Sequence, residues 1–311
     1  FYAVIENDLR RVLAYSLNNQ LGFMVVGVGI GTEMALNGTV SHAFCHILYK
    51  SLLFMCMGAV LVRTGTANGS DLGGLFKSMP WTTGFCIVGA ASISGFPLFS
   101  GFISKSMILS SVSDGGYWGV WLVLLFASAG VFHHSGIKIP YFAFFAHDQG
   151  LRPKEAPVSM LFAMGIIASL CFLIGIYPDI LYSLLPYPVN YVPYTTAHVI
   201  NQLQLLMFSA LAFAVLMVFK IYPPELRSTN IDFDWIYRKG LYTLVTCLGK
   251  SIKYTEDHLF SVTSKGLRTL MEFVHLRFVS LNKNAQTSIV GNALVWVLAL
   301  LLSLLVLAYS M

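Results

Sequence analysis

Seven stretches of this 311-residue chain are apolar and long enough to cross a hydrocarbon layer, and no motif limits the fold as much as that property does. A helix needs about 20 apolar residues to span roughly 30 Å, and residues 13–30, 35–62, 81–111, 120–146, 158–177, 199–219 and 289–309 reach that length. The expected class is all-α: a polytopic transmembrane helix bundle of about seven spans. Charged residues make up 11% of the chain, against about 25% in an ordinary soluble domain, so a soluble enzyme is excluded. The net charge is +5, but 8 of the 19 Lys and Arg residues lie within residues 232–283, beside 5 of the 14 acids. No broad basic face remains elsewhere, and no nucleic-acid partner is expected.

The third stretch is too long for one straight span. At 1.5 Å per residue it would measure roughly 45 Å, and its middle reads Ser94-Gly95-Phe96-Pro97. Proline removes a backbone donor, so a broken helix is expected, with Gly95 and Pro97 at the break. Unwound backbone at membrane depth persists only where protein or water covers it.

The loops set an orientation, because Lys and Arg in short loops collect on the cytoplasmic side. Arg10 and Arg11, Arg63 and Lys77, Arg152 and Lys154, and Lys220 and Arg227 mark alternate loops, while residues 31–34, 112–119 and 178–198 contain neither Lys nor Arg. The alternation counts the broken segment as one crossing and puts the start of the first span in the cytoplasm. Three parts are expected: residues 1–222, a half-channel of membrane spans; residues 223–288, an amphipathic helical stretch on the cytoplasmic face; and residues 289–311, a final span. The middle part carries recurring apolar residues among its charges, from Trp235 to Leu276, and is expected to form one in-plane helix or a hairpin. The chain opens on Phe1 without signal-peptide features, and is read as the interior of a longer protein.

The chemistry concentrates in the second span, where His42, His46 and Lys50 recur every four residues. Steps of four keep three side chains in one stripe along a helix. A lysine at mid-membrane costs about 2.5–3.5 kcal/mol on insertion scales and persists where it meets a partner or water. Imidazoles and a desolvated lysine exchange protons near neutral pH, so the stripe is a candidate proton relay. Against this stands a packing role, with the histidines bonded to neighbouring helices and Lys50 paired to a structural carboxylate. Lys105, shortly after the break, is a second relay candidate, with snorkelling as its alternative. His133 and His134 are weaker candidates, one of them facing the interior. Lys138 is a further weak candidate that sits where it could simply snorkel. No metal site is expected, since His42 and His46 lack a third ligand. The five cysteines show no ligand spacing and read as small core residues. No phosphate loop, nucleophile elbow or haem pair occurs, so no cofactor is expected.

Four stretches, in order, resemble the antiporter-like membrane subunits shared by respiratory complex I, membrane-bound hydrogenases and Mrp-type Na+/H+ antiporters. They are Asn7-Asp8-Leu9-Arg10-Arg11-Val12-Leu13-Ala14-Tyr15-Ser16 with Gln20-Leu21-Gly22-Phe23-Met24; His42, His46 and Lys50 with Leu52-Leu53-Phe54; Gly73-Gly74-Leu75; and Gly95-Phe96-Pro97 with Gly101-Phe102 up to Lys105. The resemblance implies the second half-channel of two inverted repeats, with Lys50 as central relay lysine, His42 and His46 leading to it, and Lys105 ending it on the second broken helix. The first half, with its glutamate and lysine pair, would lie upstream. Arg10 stands where a lysine is common, and Leu17-Asn18-Asn19 where small hydroxyl residues are usual. Ile137-Lys138-Ile139-Pro140-Tyr141-Phe142 is similar to the D-type subunit of the Mrp group, whereas the amphipathic stretch is similar to the in-plane helix of the largest complex I antiporter-like subunit. The implied function is proton translocation, with or without Na+ exchange, beside other membrane subunits in a bacterial or archaeal cytoplasmic membrane. The alternatives are a redox-driven pump subunit of a complex I-like or hydrogenase complex, and a structural membrane subunit without transport.

Overall fold

The computed structural model describes residues 2–223, 225–226, 234–281 and 289–310. It divides into two compact units, residues 1–231 and 232–311.

The first unit is a helix bundle built around one long central helix. After a single helical turn, Tyr2–Ile5, the chain forms α1 (Leu9–Ile30), α2 (Glu33–Thr64), α3 (Pro80–Ser94), α4 (Ser100–Asp114), α5 (Trp118–Phe145), α6 (Val158–Ile176) and α7 (Thr196–Val218). Side-chain oxygens start α1, α2 and α7: Asp8 accepts from Arg10 N, Thr32 from Ala35 N and Thr195 from His198 N, each satisfying a backbone donor that a helix N-terminus leaves free. Helix α2 packs against α1, α3, α4 and α6. Leu48, Leu52, Leu53, Cys56, Met57 and Val60 of α2 join the main apolar core with Leu9, Leu13, Ile93, Ile103 and Cys171. On the outer helices large apolar side chains such as Phe126, Val158, Phe162 and Phe208 are exposed, the pattern of a bundle whose solvent is lipid. Cys45, Cys56, Cys86 and Cys171 are buried, whereas Cys247 is exposed.

Among the described residues four helices, α2, α5, α6 and α7, are long and apolar enough to span by themselves. The first and third expected spans fall short for separate reasons. Helix α1 carries Arg10, Arg11, Asn18, Asn19 and Gln20. The break leaves α3 and α4 only 15 residues each.

The break falls where Gly95 and Pro97 put it. Gly95 takes φ 72° and Leu98 φ 75°, left-handed values that glycine adopts without penalty and leucine holds under strain. Gly101 lets the two half-helices touch backbone to backbone, since a Cβ there would overlap the Ser92 carbonyl oxygen.

Helix α5 departs from regular geometry around its titratable residues. Residues 132–137 and 141–145 form π turns on either side of Lys138–Pro140, with Lys138 N donating to His133 O and Ala146 N to Tyr141 O. Pro140 has no N–H for the regular ladder, and π turns of this kind gather at functional sites.

The loops with Lys and Arg meet at one end of the bundle. Lys77 and Arg152 both pair with Asp148, at 2.8 and 2.5 Å, Glu155 accepts from Trp81 N and Thr82 Oγ1, and Asn7 bonds Ser70. At the other end the Lys- and Arg-free loops enclose a cavity of about 670 Å3 lined by Thr32, Glu33, Asp114, Asn190 and others. Asn37 there holds Tyr187 through two backbone bonds. The grouping agrees with the alternation of loop charge and with counting the broken segment as one crossing.

In the second unit residues 236–241 form a π turn that runs into α8 (Tyr242–Leu281), and α9 (Ile289–Ser310) follows. Helix α8 has 40 residues, about 60 Å at 1.5 Å each. It is therefore a single helix, not a hairpin. Leu244, Val245, Leu248, Ile252, Leu259, Phe260 and Leu270 are exposed along it.

Candidate functional site

The stripe of α2 lies in the heart of the first unit. His42 has no exposed surface, His46 is 7% and Lys50 4% exposed. The rings of His42 and His46 lie 6.4 Å apart. Tyr49 packs edge-on against His46 at 5.5 Å, fixed by its hydroxyl, which donates to Gln20 Oε1 of α1 at 3.0 Å. His42 Nδ1 sits 3.1 Å from Ser104 Oγ of α4, so the stripe reaches the helix that carries Lys105.

Lys105 does not snorkel. It is 3% exposed and donates to Ile93 O at 2.5 Å, with its ammonium 5.6 Å from the centre of the Phe23 ring. The last carbonyls of a helix have no intrahelical donor, and the break presents them inside the bundle. Lys105 takes that of Ile93, and Gln202 Nε2 of α7 takes that of Ser94 at 3.3 Å. Gly95 and Pro97 therefore act by creating an acceptor site for Lys105 where an unbroken helix would have none.

Lys50 has a different environment. Among the described residues its Nζ makes no hydrogen bond, nor do His42 Nε2, His46 Nε2 and the hydroxyls of Ser41, Ser92 and Ser100. Among the described residues no carboxylate pairs with Lys50, so the structural ion pair set against the relay is not formed. A buried polar group without a partner costs about 1–3 kcal/mol, and such groups in a folded protein call for an explanation. Here they follow one helix face towards the break. Titratable nitrogens that the protein leaves unengaged are free to take up and release protons.

On α5 the expected division holds: His134 is buried and faces inward, and His133 is partly exposed, stacked on Tyr222 at 5.5 Å. His134 Nδ1 lies 2.8 Å from Ser135 Oγ, which donates to Ser16 Oγ of α1 at 2.9 Å. The snorkelling expected for Lys138 is overturned. Its side chain has no exposure and pairs with Glu225 Oε1 at 2.9 Å, while Nζ also donates to the carbonyls of Val4 and Glu6 at 2.5 and 2.8 Å. The strap after α7 folds back to deliver the carboxylate, which takes Lys138 out of reach of the surface. Among the described residues no group of three or more His, Cys, Asp or Glu is placed to hold a metal ion.

Sequence reasoning missed Gln20, Ser104, Gln202, Tyr222 and Glu225. Ser104 stood beside a named lysine, and Tyr222-Pro223-Pro224-Glu225 announced a turn, but nothing local pointed either to its partner.

The family model described as NADH:quinone oxidoreductase/Mrp antiporter, TM, matches residues 1–132, which include His42, His46, Lys50, the break and Lys105. Over residues 1–132 the chain is similar to the members of this family. Among its relatives is the D-type subunit of the Na+/H+ antiporter of Alkalihalophilus pseudofirmus, 38% identical over 116 residues, covering 37% of this chain and 24% of that protein. Chain 5 of the NADH-ubiquinone oxidoreductase of Dugong dugon is 34% identical over 125 residues, covering 40% and 20%. The chain thus matches about a quarter or less of the length of these antiporter-family relatives. The solved structure of the Mrp complex from a Dietzia species shares the fold, with a TM-score of 0.61 at 24% identity over 99% of this chain and 32% of that one.

Proposed function

We propose that this chain is the second half-channel of a proton-translocating antiporter-family subunit, working in a multisubunit complex of a bacterial or archaeal cytoplasmic membrane. Residues 1–222 are the translocating part in this reading, and the end rich in Lys and Arg faces the cytoplasm. The observation that carries it is the stripe of His42, His46 and Lys50, in which His42 Nε2, His46 Nε2 and Lys50 Nζ have no partner among the described residues and which ends at Lys105 beside the break. Lys50 acts as the central carrier, His42 and His46 pass protons along α2, and Lys105 receives them. Translocation requires Lys50 to alternate between charged and neutral, driven by charge changes upstream or in neighbouring subunits, because like charges in a low-dielectric interior shift one another. The chain's own residues need no cofactor for this.

Relatives of two kinds favour two drives for the same relay: exchange for Na+, as in the name of the antiporter relative, and a redox partner, as in that of the oxidoreductase relative. Identifying the subunits that copurify with the full-length protein separates them. In a further part of the proposal, residues 223–288 brace a neighbouring subunit along the cytoplasmic face and residues 289–311 anchor the brace. The test of the relay is Lys50→Met in the full-length protein. It is expected to abolish proton transport while the complex assembles, and transport at the normal rate with normal expression would leave only a structural role.

A further inference from the structure

A second cluster of buried ionisable groups lies at the opposite end of α5 from its start, beside the loops that carry Lys and Arg. Lys138 is its centre. Val4 O, Glu6 O and, at 3.5 Å, Ala3 O already accept from its ammonium, and a lysine has three N–H donors. The carbonyls alone can therefore satisfy the hydrogen bonding of Lys138, and Glu225 comes as a fourth neighbour at 2.9 Å. That carboxylate is only 5% exposed, and its Oε2, like the buried Tyr222 hydroxyl, has no hydrogen-bond partner among the described residues. A clip that merely held the strap to the bundle would satisfy these atoms, since each costs about 1–3 kcal/mol when left unpaired.

Among the described residues the named neighbours of the pair are mostly ionisable. The N-terminal turn contributes Glu6, with Arg11 at 3.7 Å from it; α5 contributes His133; the strap contributes Tyr222; and the loop after α2 approaches with Gly69. Glu225 is next to the exposed Leu226, so its carboxylate lies one residue from the surface. Inward, His134 precedes Lys138 by four residues, less than one turn of the π segment. His134 Nδ1 lies 2.8 Å from Ser135 Oγ, and with that bond donated by Nδ1–H the basic nitrogen of the ring is Nε2. Through Ser135 and Ser16 the ring reaches α1, which packs against the helix that carries Lys50.

We propose that Glu225 and Lys138 form the proton inlet of the relay, with His134 as the next acceptor on the way to Lys50. The inlet rests on the relay reading given above. A proton from water at the Lys- and Arg-rich end adds to the Glu225 carboxylate, and the ion pair is lost. The unpaired Lys138 ammonium passes a proton to His134 Nε2 and becomes a neutral amine. The carboxylic acid of Glu225 then gives its proton to that amine, which restores the pair. One proton has entered and one has moved to His134, with no change in redox state.

The test uses the full-length protein in its assembled membrane complex, in vesicles with the Lys- and Arg-rich end outward, and reads complex content and the initial rate of proton uptake. Glu225→Gln is expected to slow uptake at least about tenfold, with Glu225→Asp keeping most of the rate. The double variant Glu225→Gln/Lys138→Gln separates the inlet from a structural pair, because it removes both charges together. The inlet predicts normal assembly with uptake still slowed. Uptake within twofold of the parent overturns the inlet, and a double variant that does not assemble marks the pair as structural and overturns it too. Lys50→Met in the same vesicles keeps the two readings apart: normal uptake in that variant removes the relay itself, whereas its loss together with normal uptake in the double variant removes only the inlet.

Discussion

Replacing Lys50 with methionine should make the protein more stable while it stops transport. Lys50 lies in the middle of the 32-residue helix α2, is 4% exposed, and its ammonium has no hydrogen-bond partner among the described residues. A lysine at the centre of a membrane helix costs about 2.5–3.5 kcal/mol on insertion scales. Methionine has a similar length, no charge and a flexible chain that fills irregular space, so the swap should recover about 1–3 kcal/mol of that cost. At roughly 2–4 °C per kcal/mol for a chain of somewhat smaller size, the expected rise in melting temperature is about 2–12 °C. Heating the solubilised complex and measuring the fraction that stays monodisperse reads this directly. Lys138→Met is the internal control and should go the other way, because it strands Glu225; removing one partner of a buried pair costs about 3–5 kcal/mol. A Lys50→Met protein that melts at or below the parent would refute the reasoning, since it would mean that Lys50 has a compensating partner.

Three further outcomes are expected. Gly101→Ala should destabilise the subunit by about 3 kcal/mol or more, because the new methyl meets the rigid Ser92 carbonyl of the other half-helix; a melting temperature like the parent's would show that the half-helices can part freely. Single cysteines at Ser70 and Gln149 should label from the cytoplasm and one at Asn190 from the opposite side, and labelling of all three from one side would overturn the topology. Ending the protein before Asp232 should weaken association with the neighbouring subunit before it affects proton uptake, and unchanged association would remove the brace.

The stripe of His42, His46 and Lys50 and the break were legible in the sequence because each depends on a few residues in a row. Spacing of four fixes which helix face His42, His46 and Lys50 share, and Gly95 with Pro97 ends a helix wherever it occurs. The single 40-residue helix α8 was legible only as one of two options, since an apolar stripe describes a straight helix and a hairpin equally well. The Glu225 pair was not legible at all. The sequence places Lys138 near a span end, where a lysine has both surface and interior within reach, and only the backward course of the strap after α7 decides between them. Likewise, the π turns around His133, His134 and Lys138 follow from how α5 accommodates Pro140 against its neighbours, and no residue pattern marks their extent.

The overlap of the two half-helices at Gly101 and Ser92 also changes how much chain the membrane can hold. Drawn as one rod, residues 80–114 would be about 52 Å long, well beyond a hydrocarbon layer of roughly 30 Å. Set side by side where they meet, the half-helices take up the excess as thickness of the bundle instead of length. A straight helix meets a thinner or thicker bilayer by tilting or by deforming the lipid. A spliced one takes up part of its own length at the splice, the place where Lys105 holds the carbonyl of Ile93.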